Sequence, residues 1–257
     1  MKVFVVLFAV VAAACAGTID SPFEAQGRSI SSSIEDAITD FRDQMPCGFE
    51  SLGIGPLAPA RISEQGVDFQ RQSFGVEGEV HDLVLYGLNK FNILKCKANA
   101  ITSKVQVTLD WPEEIKAEIT NYILKSFVKQ RGLTVNLVGD GLVDFALQGL
   151  TIDLNLKYSL SIVTQKIKIK ELKVVISLND CVSHITGLLG DGFVNRKINE
   201  FICEFILVGL NDNQQGITNN IEDTVKPILN KFLEEHPLSE LVGGGNGEPK
   251  PVCVPPQ

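Results

Sequence analysis

The sequence predicts an α+β fold in which long antiparallel strands carry helices on one face. Three observations support this fold class. Apolar and polar residues alternate strictly over residues 150–162, the phase of alternation changes within residues 167–178, and apolar stripes at helical spacing fill the last third of the chain. The first two are strand patterns and the third is a helix pattern.

The alternating segment is the longest regular element that the sequence predicts. Its apolar residues would share one face of a half-buried strand, because alternate side chains point to opposite faces. At about 3.3 Å per residue the strand would extend over roughly 40 Å. Twist accumulates along so long a strand and curves it, with the apolar face inside. That face consists of Leu150, Ile152, Leu154, Leu156, Tyr158, Leu160 and Ile162.

The next predicted strand, residues 167–178, changes phase in its middle. Ile167 and Ile169 are in one phase, whereas the apolar residues from Leu172 onward are in the other. A slip of one residue at Lys170 and Glu171 predicts a β-bulge, which would increase the curvature of the sheet.

The first part of the chain predicts a helix, a loop and strands. Apolar residues recur every three or four positions over residues 29–45, and an extended loop rich in Gly and Pro follows to residue 62. Strands are predicted within residues 67–91 and 93–110. In the first of these, one predicted face carries Val80, Val84, Tyr86 and Leu88.

The middle of the chain predicts a helix over residues 111–131. Ile115, Ile119, Ile123 and Phe127 recur every four residues, and Pro112 stands near the first helical position. A short strand over residues 133–138 would follow. The Gly-Asp-Gly sequence at 139–141 predicts a hairpin turn in preference to an anion-binding loop.

The last third predicts helices. A short one is expected over residues 182–189. Two strongly apolar stripes follow, one over residues 194–208 that includes Phe201 and Phe205, and one over residues 217–232 that ends at Phe232.

The termini predict an exported protein. Residues 1–16 resemble a secretory signal peptide, with an apolar run and an Ala-x-Ala-like cleavage site. A lead over residues 17–28, a single domain over 29–241 and a flexible tail over 242–257 would follow. The localisation expected is extracellular, without a membrane span. The formal net charge of −8 argues against nucleic acid as a partner.

Five cysteines remain after the predicted signal peptide, and export favours disulfides among them. We expect Cys181 and Cys203 to form a pair, because they flank a predicted helical hairpin. Cys253 lies in the predicted tail and is the candidate for the odd cysteine. The alternative for Cys181 and Cys203 is a zinc site together with His184. Such a site is disfavoured in an exported chain, where thiols tend to oxidise.

The sequence contains no motif that would indicate an enzyme. Asp180, Ser183 and His184 could be taken for a triad fragment, but neighbouring residues do not face each other on a helix. We therefore expect no catalytic residues, metal or cofactor. The apolar stripes are either plain core or the walls of an internal cavity, and the patterns alone leave both open.

Several short segments resemble known families. The sequence VSHITGL at residues 182–188, TVKP at 224–227, and GEV at 78–80 continuing to YGL at 86–88 resemble the mite group 7 allergens. The loop LGIGPLAP at 52–59 is similar to that of insect juvenile-hormone-binding and Takeout proteins. Both groups belong to the tubular lipid-binding (TULIP) superfamily, and the resemblance covers residues 29–236.

The resemblance implies a highly curved antiparallel sheet wrapped around a long C-terminal helix and enclosing an apolar tunnel. The expected function is a secreted carrier of a hydrophobic small molecule or lipid, and Tyr158 could bond to the ligand head group. The alternative is an extracellular recognition protein that binds microbial lipid or a protein partner on its surface. The expected ligand-binding residues are Tyr86, Leu150, Ile152, Leu154, Leu156, Tyr158, Leu160, Phe201, Phe205 and Phe232.

Overall fold

The computed structural model describes residues 30–50, 53–70, 74–99, 101–130, 133–160, 167–188, 192–235 and Cys253. The predicted signal peptide, the lead and the tail other than Cys253 lie outside the described residues. The elements, in chain order, are helix α1 (Ile30–Gln44), strands β1 (Ala60–Gln70), β2 (Phe74–Tyr86), β3 (Asn92–Asn99), β4 (Lys104–Trp111), β5 (Ile115–Gln130), β6 (Leu133–Gln148), β7 (Leu150–Leu160), β8 (Ile167–Ser177) and β9 (Asp180–Ile185), and helices α2 (Phe193–Asp212) and α3 (Gln214–Glu235).

The strands form two antiparallel sheets. The larger has the order β1-β2-β5-β6-β9, and the smaller has the order β3-β4-β7-β8. Helix α1 packs on β3, α2 packs on β9, and α3 packs on β8. The predicted α+β class is confirmed.

The core lies against the smaller sheet. Strand β7 alternates as the sequence predicts, with its apolar face buried and its polar face turned away. Helix α1 contributes Ile34 and Ile38 to this core, and α3 contributes Leu229 and Leu233. The strands contribute Val105, Val107, Leu109, Leu150, Ile152, Leu154, Leu156, Tyr158, Ile169, Leu172 and Val174.

The predicted bulge is present in β8. Lys157 pairs with Glu171, but the next residue, Tyr158, pairs with Ile169, so Lys170 is the extra residue. The bulge returns Ile169 to the buried face together with Leu172, and both side chains are enclosed in the core.

The predicted helix over residues 111–131 is wrong, because residues 115–130 form strand β5. A four-residue spacing is also a multiple of two, so Ile115 and Ile119 lie on one face of a strand as readily as on a helix. The register of β5 with β6 shifts between Ile119 and Tyr122. This shift turns Ile123 to the outer face, where it is exposed.

The predicted hairpin turn at residues 139–141 is also wrong, since β6 continues through it. The two glycines allow close packing. A Cβ on Gly139 would lie 2.7 Å from the Tyr122 hydroxyl, and one on Gly141 would lie 2.6 Å from the Thr186 carbonyl oxygen. Nor is the segment after Cys181 a helix: it forms β9, in which Cys181, Ser183 and Ile185 share one face.

The free edge of β8 is covered by polar side chains of α3. Gln214 bonds to both backbone groups of Ile176, Thr218 donates to the Val174 carbonyl at 2.7 Å, and Asn230 bonds to both backbone groups of Ile169. Glu222 accepts from the Leu172 backbone N–H. Four residues of helix rise about 6.0 Å and two residues of strand about 6.6 Å. From Gln214 to Glu222, every fourth helical residue therefore meets every second strand residue, and the bulge at Lys170 changes this spacing before Asn230.

Two disulfides join distant parts of the chain. The predicted pair Cys181–Cys203 is confirmed, with its Cα atoms 5.3 Å apart. The expectation for Cys253 is wrong, because it pairs with Cys47 across 206 residues, and the free cysteine in the described part of the chain is the buried Cys96. Sequence spacing alone does not determine which cysteines pair.

Candidate ligand-binding surface

Five apolar side chains form one row across all five strands of the larger sheet. Successive members are direct partners in the register, and paired residues of antiparallel strands carry their side chains on the same face. Among the described residues, none of the five belongs to the buried core, and each is partly open to solvent. This set, the apolar row, consists of Ile62, Leu83, Ile119, Val143 and Ile185.

The apolar row lies on the inner face of its sheet. Two positions from Ile62, Leu83 and Val143 along the same strands, this face carries Ala60, Leu85 and Phe145. These three residues are buried in the core or packed against it. The apolar row therefore extends the hydrophobic core outward to a surface that the described residues leave partly open. Small-molecule sites are likewise mainly apolar and carry few polar groups, so the composition of this surface suits such a ligand.

The irregularity in β5 determines which residues stand beside the apolar row. The register shift keeps Tyr122 on the same face as Ile119, because these residues pair with Gly141 and Val143 of β6. Tyr122 is fully buried, and its hydroxyl donates to the Thr186 carbonyl at 2.6 Å. Tyr122 thus closes one side of the apolar row.

Polar groups of α2 fix the end of the row at Ile185. Asn199 accepts from the Ile185 N–H at 2.7 Å, and both Asn199 and Asn195 donate to the Ile185 carbonyl. Within the described residues, the buried Oδ1 of Asn195 has no hydrogen-bond partner. The helix therefore holds this edge of the sheet through carboxamides rather than through apolar packing alone.

The β7 residues of the predicted site lie where the sequence places them, on an inward face. Leu150, Ile152, Leu154, Leu156 and Tyr158 are all buried in the core. Leu160 ends β7 and Phe232 lies on α3, and the side chains of these two residues lie outside the described part of the chain.

Tyr86 does not face the interior, which corrects the sequence expectation. It pairs with Lys116 on the outer face, its side chain bonds to Glu118, and it is 37% exposed. Asp82 interrupts the alternation of β2 with a φ of 50°, so Leu83 and Leu85 turn inward and Tyr86 turns outward.

The outer face around Tyr86 is charged. Lys116 Nζ lies 2.6 Å from Glu118 Oε1 and 3.8 Å from Asp144 Oδ1. The hydrogen bond between Lys116 and Glu118 raises the pKa of the lysine and lowers the pKa of the carboxyl group. These polar groups mark the side of the sheet that faces solvent.

Phe201 and Phe205 also turn away from the interior. They project from the outer side of α2, 64% and 69% exposed, with ring centroids 6.3 Å apart. The helix meets β9 through Asn195, Asn199 and Cys203 instead. The helical stripe was predicted correctly, but its orientation depends on contacts that the stripe itself does not encode.

The alternative chemical sites do not form. Cys181 and Cys203 are joined in a disulfide, which removes both thiolates from the zinc site considered above. Ser183 and His184 lie on opposite faces of β9, and Ser183 donates to Asn199 at 2.7 Å. No cluster of potential metal ligands occurs among the described residues.

A profile of the haemolymph juvenile hormone binding protein (JHBP) family matches residues 4–243. The chain belongs to the JHBP family. No curated protein sequence gives a significant match. Among solved structures, Takeout 1 of Epiphyas postvittana matches with a TM-score of 0.51 and 16% identity, over 80% of this chain and 94% of that chain. A lipopolysaccharide-binding protein matches with a TM-score of 0.32 and 14% identity, over 66% of this chain and 35% of that chain.

The JHBP profile and the Takeout structure confirm the expected fold, a TULIP-like super-roll with a C-terminal helix. The JHBP family is a family of binding proteins and not of enzymes. The resemblance to mite group 7 allergens stays a prediction. No helix in the described part of this JHBP-family chain has the length and apolarity that a membrane span requires.

Proposed function

We propose that the protein is a secreted carrier that binds a hydrophobic small molecule or lipid against the inner face of the larger sheet. The observation that carries this proposal is the apolar row, which continues the core and stays partly open to solvent. Export is supported by the predicted signal peptide, by the two disulfides and by membership of the JHBP family.

Burial of apolar surface would supply the binding energy. Removal of apolar area from water contributes about 25 cal/mol per Å², before the entropic cost of association is subtracted. A flexible apolar chain that covers all five side chains of the row would bury area on both partners. The affinity should therefore rise with the length of the apolar chain.

The inward face of β7 is the second part of the proposed lining. It shares one hydrophobic cluster with Leu85 and Phe145, the residues next to the apolar row. A tunnel that begins at the row would extend along this face. The proposed residues of the face are Leu150, Ile152, Leu154, Leu156, Tyr158 and Leu160, of which Tyr158 would bond to a polar head group.

Native mass spectrometry of the secreted protein, with lipid analysis of an organic extract of the same sample, tests the proposal. Long-chain fatty acids and sesquiterpenoid esters are then added to the delipidated protein. We expect a stoichiometric apolar adduct. A bare mass and no uptake of either class would overturn the carrier function.

Two variants of the same strand test the location of the site. Ile119→Ser changes the inner face of β5, whereas Ile123→Ser makes the same change on the outer face, where the side chain is 45% exposed. We expect at least about a tenfold loss of affinity for Ile119→Ser, from the apolar contact removed, and unchanged affinity for Ile123→Ser. Equal affinity of both variants would exclude the apolar row as the site.

A further inference from the structure

Helix α2 carries two apolar stripes, and among the residues that the structure describes, only one of the stripes packs against other elements. Cys203, Ile206 and Leu210 belong to the core or pack against it. At about 100° per residue, a second stripe lies on the opposite side of the helix. This outer stripe consists of Val194, Ile198, Phe201, Phe205 and Val208, and all of them except the partly buried Ile198 are more than half exposed.

An exposed apolar stripe of this size is unusual on a soluble protein and marks a surface that associates with something. It spans fifteen residues from Val194 to Val208, and the fourteen steps between its ends correspond to about 21 Å of helix. Every member projects from one rigid element, so the surface is preformed.

Two opposite charges flank the outer stripe on the same side, and the basic one also forms an exposed ion pair with Glu200 of its own helix. Lys197 and Glu204 are seven residues apart, which is close to two helical turns and places both on one flank. The basic residue lies toward the start of the stripe and the acidic residue toward its end. A twofold axis through the middle of the stripe, perpendicular to the helix, generates a second, antiparallel helix. Lys197 of one helix then lies next to Glu204 of the other.

We propose that the outer stripe of α2 binds the same stripe of a second copy of this chain, with the two helices antiparallel. In this arrangement Lys197 of each copy meets Glu204 of the other. In the same register, Phe205 of one copy lies between the smaller Val194 and Ile198 of the other, and the two Phe201 side chains meet near the axis. Charge and side-chain size are thus complementary under one symmetry axis, as an isologous interface requires.

A second copy fits this surface better than a lipid surface does. Helices that lie on membranes carry Lys and Arg along their polar face. On α2 the two basic residues, Arg196 and Lys197, both lie near the start, whereas Glu200, Glu204 and Asp212 follow them. A negative end would be repelled by anionic lipid, but it complements the basic end of an antiparallel partner.

The size of the surface predicts a weak dimer. Stable interfaces bury about 800 Å² on each partner, and a single helical stripe covers less than that. We therefore expect a dissociation constant in the micromolar range or above. The dimer would form at high protein concentration or when two copies are held close together.

Charge exchange on the secreted full chain tests the proposal, with sedimentation velocity over a wide concentration range as the readout. We expect Lys197→Glu alone and Glu204→Lys alone each to raise the dissociation constant about tenfold, because two symmetry-related pairs change from attraction to repulsion. The double variant should recover the wild-type value. Lys90→Glu, in the loop after β2, is the control for net charge and should leave the constant unchanged.

Three outcomes would overturn the proposal. The first is a wild-type protein that stays monomeric at the highest concentration reached. The second is a dimer that survives Phe201→Ser with Phe205→Ser, because its interface would then lie elsewhere. The third is a double charge variant that stays as weak as the single ones. Flotation with phosphatidylcholine vesicles identifies a lipid surface as the actual occupant if the monomeric wild type floats and the phenylalanine variant does not.

Discussion

Asn230 binds both backbone groups of Ile169. Its Oδ1 accepts from the Ile169 N–H at 2.7 Å, and its Nδ2 donates to the Ile169 carbonyl at 3.1 Å. Asn211 bonds to Leu178 in the same way, at 3.1 and 2.9 Å. A carboxamide carries one acceptor and one donor side by side, like a backbone peptide group, so it can stand in for a neighbouring strand. The helices therefore close a sheet edge that would otherwise be open to pairing with another chain.

Asn230→Ala should destabilise the protein by about 1–3 kcal/mol, because it leaves two part-buried backbone groups without partners. The midpoint of urea unfolding measures this loss. Asn219→Ala is the matched control, since it makes the same change at an exposed position of α3, where the side chain accepts a hydrogen bond from Gln215. If the two variants unfold at the same urea concentration, the edge contact contributes nothing.

Leu156→Ala should destabilise the protein by about 2–5 kcal/mol, the range for a large-to-small change in a packed core. The Leu156 side chain is 2% exposed and lies on the inward face of β7. Urea unfolding should show a lower midpoint and an unchanged slope. Leu94→Ala, at an exposed position on β3, is the control and should shift the midpoint little. A loss below about 1 kcal/mol would contradict this prediction and would mean that Leu156 has few packing partners, as beside a wide part of the proposed tunnel.

Cys96 should resist alkylation in the folded protein. Burial, with a smaller contribution from Glu35, raises the pKa of its thiol to about 11, and the thiol contacts the Ser31 carbonyl at 3.4 Å. The thiolate is the reactive form, so little of it is present at neutral pH. Iodoacetamide followed by intact mass measurement should show no label before unfolding and one label in urea without reductant. Rapid labelling of the folded protein would contradict the buried position.

The elements with a clean local period could be predicted from the sequence. Strand β7, the bulge in β8 and the apolar stripes of α2 and α3 each follow from the spacing of side chains within one segment. In contrast, the spacing of four in β5 predicts a helix, because a spacing of four satisfies both the helical and the strand period. The alternation of Ile115, Ala117 and Ile119 was the signal that could have identified the strand.

The candidate site could not be predicted in the same way. The apolar row takes one residue from each of five strands, and only the long-range register brings them together. Two local irregularities, at Asp82 and after Ile119, decide which residues turn inward. The spacing of apolar residues along the sequence does not reveal either irregularity. The outward turn of Phe201 likewise follows from the pairing of Asn199 with β9.

Glu222 should make the stability of the protein depend on pH. The hydrogen bond from Lys226, at 2.7 Å, holds the pKa of this carboxyl group below its ordinary value of 4.5, and the Leu172 N–H adds to the effect. A pKa lowered by folding means that the unfolded chain binds the proton more tightly. The stabilisation is therefore complete above the unfolded pKa and is lost as the pH falls through the folded pKa.

Glu222→Gln removes this dependence, because the amide does not titrate. We expect the free energy of unfolding of the wild type to exceed that of the variant by about 0.5 kcal/mol at neutral pH, as for other ion pairs four residues apart on a helix. The difference should vanish in strong acid. Urea midpoints measured from neutral pH downward give the curve, and Asp223→Asn, at the exposed neighbouring position, is the control. If the difference in stability between the wild type and Glu222→Gln grew as the pH falls, it would have the wrong sign. Such a result would show that Glu222 is not held in its charged form by Lys226 and Leu172.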